Sequence, residues 1–284
     1  MILDKKSQNK NIGKVDFGVL YTILILLAIG VVMIYSASSF YSMFHYNDSM
    51  FYLKKQGIMA VIGLLAMFFM MNFDYHRLKK ITPKLLIITV PLLIAVFFFP
   101  AVNGAKRWIQ LGGLSFQPSE LTKYVVVLFL ALSIDIKGDG IKDFWTGIVP
   151  YLGLSGFFAA LVLAEKNLSI AAIIMIVTFI LLFISGGKIK HLFGIVLPGL
   201  LTLAIFFIFS SDYRRARMLN FIDPWKDAAG DGYQLIQSFY ALGSGGITGL
   251  GLGQSRQKTL YMPEPHNDFI FSIIGEELGL IGCL

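Results

Sequence analysis

The chain has 284 residues, of which 56% are hydrophobic and only 14% charged, and its mean hydropathy is +0.72. Soluble domains carry about 25% charged residues, so this composition excludes an ordinary soluble domain and indicates lipid as the main solvent. The net charge of +7 indicates loops attached to anionic membrane lipid rather than nucleic-acid binding, because the excess Lys and Arg occurs in a hydrophobic protein. Cys283 is the only cysteine, so no internal disulfide can form.

The first apolar run begins after Lys5, Lys6, Lys10 and Lys14. It extends from Phe17 to Ile34, which is longer than the roughly 7–15 residues of a signal-peptide core. We therefore predict a retained first membrane span. A span needs about 20 mostly apolar residues, and seven segments meet this criterion. They are 17–38, 56–73, 84–102, 119–136, 145–164, 168–186 and 191–210.

An eighth apolar segment begins near Asp268, carries Glu276 and Glu277, and reaches Leu284. The predicted fold class is therefore an all-α polytopic membrane protein with seven complete transmembrane helices, a partial eighth and one large loop. We expect residues 1–284 to form one membrane domain. If the N-terminus is cytoplasmic, the cytoplasmic segments contain 12 Lys and Arg residues and the short outer loops contain 5. The long 211–267 loop adds six more to the outer side, which makes the count 12 against 11. This distribution favours a cytoplasmic N-terminus.

The 211–267 connection is predicted to be a large extracytoplasmic loop rich in turn residues. Within it, Tyr233 to Leu242 predicts a short helix with Tyr233, Ile236, Phe239 and Tyr240 on an apolar side. Its place between two spans suggests an interfacial helix on the outer leaflet. Long loops held by a rigid scaffold often carry chemistry, so we expect functional residues here.

Three ionisable residues at the ends of spans need an explanation, because charge is costly in lipid. Glu120 and Lys123 share a helix face, either as a mutually satisfied ion pair or as the polar wall of a substrate cavity. Asp268 precedes the eighth span, either as its N-cap or as a general base at the membrane surface. A carboxylate has several acceptor sites, so capping and catalysis are compatible.

Basic residues of the loop are candidate phosphate ligands, because Arg and Lys form charge-assisted bonds with phosphate oxygens. The alternative is a solvated loop that touches lipid headgroups. Lys106 and Arg107 in an earlier outer connection allow the same two interpretations. The glycines of 249–253 lack a preceding strand and a following Gly-Lys-Ser/Thr, which excludes a nucleotide loop. The four histidines show no zinc-ligand spacing. The loop cations are Arg214, Arg215, Arg217, Arg256 and Lys258.

Six collinear motifs resemble the signature of the shape, elongation, division and sporulation (SEDS) family. The motifs are Asn103-Gly-Ala-Lys-Arg-Trp-Ile109, Phe116-Gln-Pro-Ser-Glu-Leu-Thr-Lys123, Phe221-Ile-Asp-Pro-Trp-Lys-Asp227, Gly249-Leu-Gly-Leu-Gly-Gln-Ser-Arg-Gln-Lys258, Pro263-Glu-Pro-His-Asn-Asp268 and Gly275-Glu-Glu-Leu-Gly279. The Asp-Pro-Trp and Gly-Gln-Ser-Arg-Gln-Lys stretches are more similar to the division and sporulation branch than to the elongation branch.

The resemblance implies a ten-span peptidoglycan glycosyltransferase of the bacterial cytoplasmic membrane. It would polymerise lipid II, the undecaprenyl-diphosphate-linked disaccharide peptide, beside a class B penicillin-binding transpeptidase. The family's essential Asp maps onto Asp268, and its cavity-lining pair maps onto Glu120 and Lys123. His266 belongs to the same motif as Asp268 and is expected to bind substrate. No cofactor is implied except a divalent cation, Mg²⁺ or Mn²⁺, as an alternative to the basic residues for holding the diphosphate.

Three departures from the family pattern stand out. Asn267 replaces the usual Thr, and Glu165-Lys-Asn-Leu-Ser-Ile170 replaces Glu-Pro-Asp-Leu-Gly/Ser-Thr, so an acidic group is missing at Asn167. The chain also ends inside the eighth span, so we expect spans nine and ten of the family to be absent from it. The alternative functions are a lipid II flippase, which would move the lipid without forming bonds, and a non-catalytic scaffold of the division machinery. The polar residues gather toward the outer face, which favours the enzyme over the flippase.

Overall fold

The computed structural model describes residues 15–102, 104–111, 114–210, 212–230 and 232–284. Asn103 and the N-terminal residues Lys5, Lys6, Lys10 and Lys14 lie outside these ranges. The described part contains helices and one short antiparallel hairpin, in which Ile109 pairs with Phe116. The helices are α1 Phe17–Tyr46, α2 Phe51–Met71, α3 Leu78–Ala95, α4 Pro118–Lys137, α5 Val149–Ala164, α6 Leu168–Ile184, α7 Ile189–His191, α8 Leu197–Phe209, α9 Asp212–Ile222, α10 Tyr233–Gly245 and α11 Ile270–Cys283; the strands are β1 Ile109–Leu111 and β2 Leu114–Phe116.

The predicted all-α polytopic membrane fold is confirmed. Among the described residues, five helical segments are long and apolar enough to cross a membrane. The predicted fourth and sixth spans also form helices, α4 and α6, but α4 carries several charges and α6 has only 17 residues. The five qualifying segments are Phe17–Tyr46, Phe51–Met71, Tyr75–Phe98, Phe144–Ala164 and Ile189–Phe209.

Helix α1 continues eight residues beyond the predicted end of the first span. Asp16 caps its N-terminus by accepting hydrogen bonds from the amides of Gly18 and Val19. The helix ends at Asn47, which adopts the left-handed conformation (φ 53°) and donates its amide to Met43. Thirty helical residues span about 45 Å, so α1 is longer than the roughly 30 Å hydrocarbon core of a bilayer.

The chain divides into two compact units, the first comprising the described residues up to Phe73 with Phe207–Leu284, and the second Asp74–Phe206. The core of the second unit forms where α3, α4, α5 and α6 pack together. Thr178 on α6 donates a hydrogen bond to Ser155 on α5 at 2.8 Å, so a buried polar pair joins these two helices.

In the first unit, α10 packs on α11, and α11 contacts α1. The predicted helix at Tyr233–Leu242 is confirmed and extends to Gly245. Its buried side contains Ile236 and Ala241, whereas the side chains of Phe239 and Tyr240 are exposed, and their contact with the outer leaflet stays a prediction. The close approach of two helices explains this difference: a Cβ at Gly245 would lie 1.9 Å from the carbonyl oxygen of Gly275 on α11.

Helix α11 is broken at Gly279, whose φ of 67° and ψ of −166° are essentially restricted to glycine. The break leaves backbone amides and carbonyls of α11 without partners inside the helix, and the preceding loop forms hydrogen bonds with them. The amides of Leu250 and Gly251 donate to the carbonyls of Glu276 and Glu277, and the amide of Leu280 donates to Gly246. The glycine-rich segment 249–253, for which a nucleotide loop was excluded, therefore supplies hydrogen-bond donors to the backbone of the broken helix.

Candidate functional site

Asp268 lies in the turn immediately before α11. The helix begins at Ile270, its N-cap is Phe269, and no side chain caps it. The N-cap interpretation of Asp268 is therefore wrong, because the loop enters the helix one residue later than the sequence suggested. Asp268 is exposed, and its carboxylate forms no hydrogen bond or ion pair with any residue that the structure describes. This leaves its acceptor sites available to a ligand.

His266, two residues before Asp268, is buried between aromatic rings, with 8% of its surface exposed. Its ring centroid lies 4.0 Å from that of Tyr52 on α2 and 5.2 Å from that of Tyr41 on α1. Neither ring nitrogen has a hydrogen-bond partner among the described residues. Burial lowers the pKa of His266, with a smaller opposing effect from the carboxylate of Glu264. The imidazole therefore stays neutral at neutral pH.

The turn that carries His266 and Asp268 is held by its own hydrogen bonds. Asn267 donates its side-chain amide to Glu264 at 2.8 Å, and its backbone amide donates to the carbonyl of Glu264. Gln234 on α10 donates to the carbonyl of Pro263 at 3.0 Å. Asn267 in place of Thr thus still closes the turn.

Lys258 is buried within the first unit, with 2% of its surface exposed. Its ammonium donates to Glu277 Oε1 at 2.7 Å and to Ser36 Oγ at 3.0 Å, and Ser36 donates to Glu277 in turn. The structure therefore commits this charge to an internal partner. The assignment of Lys258 to a substrate diphosphate stays a prediction that these contacts do not favour.

The neighbouring carboxylate, Glu276, is also buried and accepts hydrogen bonds from the loop. Its donors are the hydroxyl of Ser255 and the backbone amides of Arg256 and Gln257. The sequence marked Glu276 and Glu277 as charges in an apolar span and as part of a family motif, but it gave them no partner and gave Ser36 no role. Two adjacent acids in a segment of otherwise apolar residues were the signal for buried partners elsewhere in the chain.

The other loop cations occupy different positions. Arg214 on α9 donates to the carbonyl of Phe207 at 2.9 Å and lies over the ring of that residue. Arg215 is exposed on the same helix. Arg217 also lies on α9, and its side chain is outside the described part. The guanidinium of Arg256 is exposed and forms no hydrogen bond or ion pair within the described ranges.

In the second unit, Glu120 and Lys123 form the predicted ion pair on α4, with 2.8 Å between Oε2 and Nζ. The side chain of Lys123 is less exposed than that of Glu120, in keeping with a long side chain that follows the helix surface. The ion-pair interpretation is confirmed, and the role of the pair as a cavity wall stays a prediction.

Lys106 and Arg107 bind backbone carbonyls of their own unit. Lys106 donates to Phe97 at 2.8 Å. Arg107 donates to the carbonyls of Glu165 and Lys166, so it holds the turn between α5 and α6. These contacts indicate a structural use of both side chains, and their role as substrate ligands stays a prediction.

The α5–α6 turn explains the departure from the family pattern. Lys166 adopts a left-handed conformation (φ 62°), which the usual proline cannot reach because its ring fixes φ near −65°. Asn167 caps α6 by accepting from the amide of Ile170. Glu165 is 1% exposed and its carboxylate oxygens lack hydrogen bonds within the described part. Burial raises its pKa to about 7, although nearby Ser119 and Arg107 favour the charged form.

The described residues contain no group of three or more His, Cys, Asp or Glu side chains that could bind a metal ion. The divalent cation stays a prediction, and no step below depends on it.

These features define a class of protein: a polytopic membrane protein in which a carboxylate without a partner among the described residues lies on a hydrogen-bonded loop next to a broken helix. The chain belongs to the FtsW/RodA/SpoVE family, described as cell cycle proteins, whose pattern matches residues 18–284.

The chain is similar to curated members of this family. It is 41% identical over 276 residues to the probable peptidoglycan glycosyltransferase FtsW of Geobacter sp. (strain M18), covering 95% of this chain and 74% of that protein. It is 40% identical over 265 residues to stage V sporulation protein E of Bacillus subtilis (strain 168), covering 91% and 71%.

Two solved structures resemble the fold. One comes from a study titled "Structural coordination of polymerization and crosslinking by a peptidoglycan synthase complex", with a TM-score of 0.72, 28% identity, and coverage of 94% of this chain and 72% of that one. The other is the rod shape determining protein RodA of Thermus thermophilus, with a TM-score of 0.62, 24% identity, and coverage of 94% and 68%.

Proposed function

We propose that this protein is a peptidoglycan glycosyltransferase that polymerises lipid II on the outer face of the bacterial cytoplasmic membrane, in division or sporulation. Its family membership and the names of its relatives support this activity. The observation that carries the assignment of the site is the exposed carboxylate of Asp268, which neither caps α11 nor pairs with a described residue.

Asp268 acts as the general base of an inverting transfer. Its carboxylate takes the proton of the 4-hydroxyl of an acceptor lipid II while that oxygen attacks the anomeric carbon of the lipid-linked glycan. The new glycosidic bond forms as the bond from that carbon to the diphosphate breaks, and the lipid diphosphate leaves with the electron pair. The developing negative charge requires cations. Arg256 is the leading candidate because its guanidinium is exposed and has no described partner, and Arg214, Arg215 and Arg217 are further candidates.

Substrate binding extends to the other sequence-predicted residues. The two ring nitrogens of His266 are buried and lack a described partner, so a substrate hydroxyl or amide reaches them only if the surrounding aromatic rings move aside. In the second unit, Glu120, Lys123, Lys106 and Arg107 remain candidate substrate ligands on the resemblance to the family alone. For this reaction Asp268 lies outside the cell and the N-terminus lies in the cytoplasm. We further propose that residues 1–284 belong to one membrane domain and that 211–267 is its extracytoplasmic loop. A class B penicillin-binding transpeptidase crosslinks the product, a proposal supported by the similar chain from a peptidoglycan synthase complex.

The test is polymerisation of lipid II by purified Asp268→Asn in detergent, where transport between leaflets has no meaning. General base catalysis supplies about 10²–10⁴-fold, so we expect a loss of that size with unchanged thermal stability. The control is Asp139→Asn, which removes an exposed carboxylate paired with Lys142 and should polymerise at the normal rate. Undiminished polymerisation by Asp268→Asn would overturn the assignment, and absence of polymerisation by the unmodified protein would favour a flippase or scaffold.

A further inference from the structure

Among the described residues, hydrogen bonds from a short segment of the loop before α11 attach it to that helix, and the buried side chain of Met262 packs in the same core cluster as Ile273. Residues 255–258 provide one hydroxyl and three backbone amides to Glu276 and Glu277, and the ammonium of Lys258 donates to Glu277. Ser36 joins the same network from α1 by donating to Glu277 and accepting from Lys258. Apart from the exposed Arg256 and the partly buried Gln257, the participating residues are buried. We call this set, Ser36, Ser255, Lys258, Glu276 and Glu277, the buried clamp.

The backbone adds a second attachment just upstream. Gly249 approaches α11 so closely that a Cβ there would lie 2.2 Å from the carbonyl oxygen of Glu277. The amides of Leu250 and Gly251 donate to α11 carbonyls at 2.9 Å, and the amide of Ile281 donates back to Ile247. The loop is therefore fixed to α11 at residues 246–251 and again at 255–258.

These attachments turn residues 259–269 into a closed loop. One end is held at Lys258, which is bonded to Glu277 on α11, and the other end continues directly into α11 at Ile270. Only this short segment lies between the two fixed ends, and it carries His266 and Asp268. Closing a short loop removes most of its conformational freedom, because few backbone angles remain free once both ends are fixed.

We propose that the buried clamp positions Asp268 for proton abstraction, and that Lys258 and Glu277 are positioning residues rather than substrate ligands. This inference rests on the proposed function. A displacement of about 1 Å in a reacting group can lower a rate about 10²-fold, so a loop-closing ion pair can control turnover without touching the substrate. The buried pair also specifies one arrangement of the loop, since removing either partner leaves an uncompensated charge in an apolar environment.

The test compares three forms of the whole protein in detergent with lipid II: Lys258→Met, the double variant Lys258→Met with Glu277→Gln, and the control Lys54→Met. The double variant removes both charges but keeps an acceptor for Ser36 and the amide of Ser255. The control breaks an exposed pair with Asp48 in the same unit. Each form is assayed for kcat, KM and amide hydrogen exchange across residues 255–269, at a temperature where all remain folded.

We expect Lys258→Met to lower kcat about 10²-fold with KM for lipid II nearly unchanged. Amides of 255–269 should exchange faster, while those of α5 and α6 stay protected. The double variant should recover most of the kcat and the protection, and the control should match the unmodified protein.

Three results would overturn the clamp: unchanged kcat in Lys258→Met, a rise in KM alone, or exchange that accelerates equally throughout the chain. A rise in KM alone would return Lys258 to the diphosphate. Exchange is measured without substrate, so the clamp is tested separately from catalysis. Suppose that hydrogen exchange is faster in Lys258→Met but that Asp268→Asn is fully active. The assignment of Asp268 as general base would then be wrong, whereas the closure of the loop by Lys258 and Glu277 would be supported. Loss of activity in Asp268→Asn with unchanged exchange and kcat in Lys258→Met would end the clamp alone.

Discussion

The Nζ atom of Lys258 lies 2.7 Å from Oε1 of Glu277, and both side chains are almost completely buried. A buried ion pair is weak grounds for expecting high stability, because desolvating two charges offsets most of their attraction. We expect the pair to act through specificity, because another arrangement of the loop before α11 that separates Lys258 from Glu277 would leave a buried charge without its partner. The observed arrangement determines which residues of the loop remain available to a substrate, and Asp268 and Arg256 are among them.

The break in α11 gives a prediction about stability. We expect Gly279→Ala to destabilise the protein by about 3 kcal/mol or more, because its backbone conformation excludes other residues. A Cβ there would also lie 2.3 Å from the amide nitrogen of Gly249. The measurement is thermal unfolding in detergent. The control is Gly243→Ala on α10, where no atom lies within 4 Å of the added Cβ and alanine should be neutral or stabilising. Equal unfolding temperatures for the two variants would contradict the observed break.

Glu165 gives a prediction about pH. Burial raises the pKa of this carboxyl from 4.5 to about 7. Between these values the unfolded chain releases a proton that the folded protein retains, so the free energy of unfolding falls as pH rises. We expect Glu165→Gln to be more stable than the unmodified protein by about 3 kcal/mol at pH 8, with little difference below pH 4.5. Unfolding in detergent across this range measures the difference, and a gap that does not vary with pH would contradict it.

Arg256 and Lys258 are only two residues apart but should behave differently. We expect Arg256→Ala to lower kcat/KM for lipid II about tenfold or more, with a fall in kcat as well as a rise in KM, because the guanidinium binds the diphosphate and stabilises the negative charge that develops on it. Hydrogen exchange of residues 255–257 should not change, since the backbone of Arg256, not its side chain, contacts Glu276. Lys226→Ala, an exposed cation of the same loop paired with Asp223, is the control. A loosened loop in Arg256→Ala would show that its side chain supports the fold.

The membrane character, the helical segments and the family could all be predicted from the sequence. Hydropathy is a local property, and a run of apolar residues such as 145–164 must form a helix in lipid to satisfy its own backbone groups. The ion pair of Glu120 and Lys123 could be predicted for the same reason, since residues three apart on a helix are neighbours.

The prediction that Asp268 is the N-cap of α11 was wrong, because it was based on local sequence alone. Asp before an apolar run is a good N-cap by preference, but the turn closed by Glu264 and Asn267 delivers the chain to α11 one residue later. The helix start is therefore set by the loop, and the carboxylate is left to other uses. The side of α10 that packs on α11 was also beyond local reasoning, because the close approach of Gly245 to α11 selects which face is buried.

The sequence by itself determined where this chain enters lipid, which segments are helical and which motifs it shares with its family, because each of these depends on residues close together in the chain. Only the tertiary structure decided what the charges do. Ser36 and Glu277 are 241 positions apart, and no periodicity links them. Desolvation forces such groups to find partners wherever packing brings them, so folding places Lys258 on Glu277 and leaves Asp268 exposed.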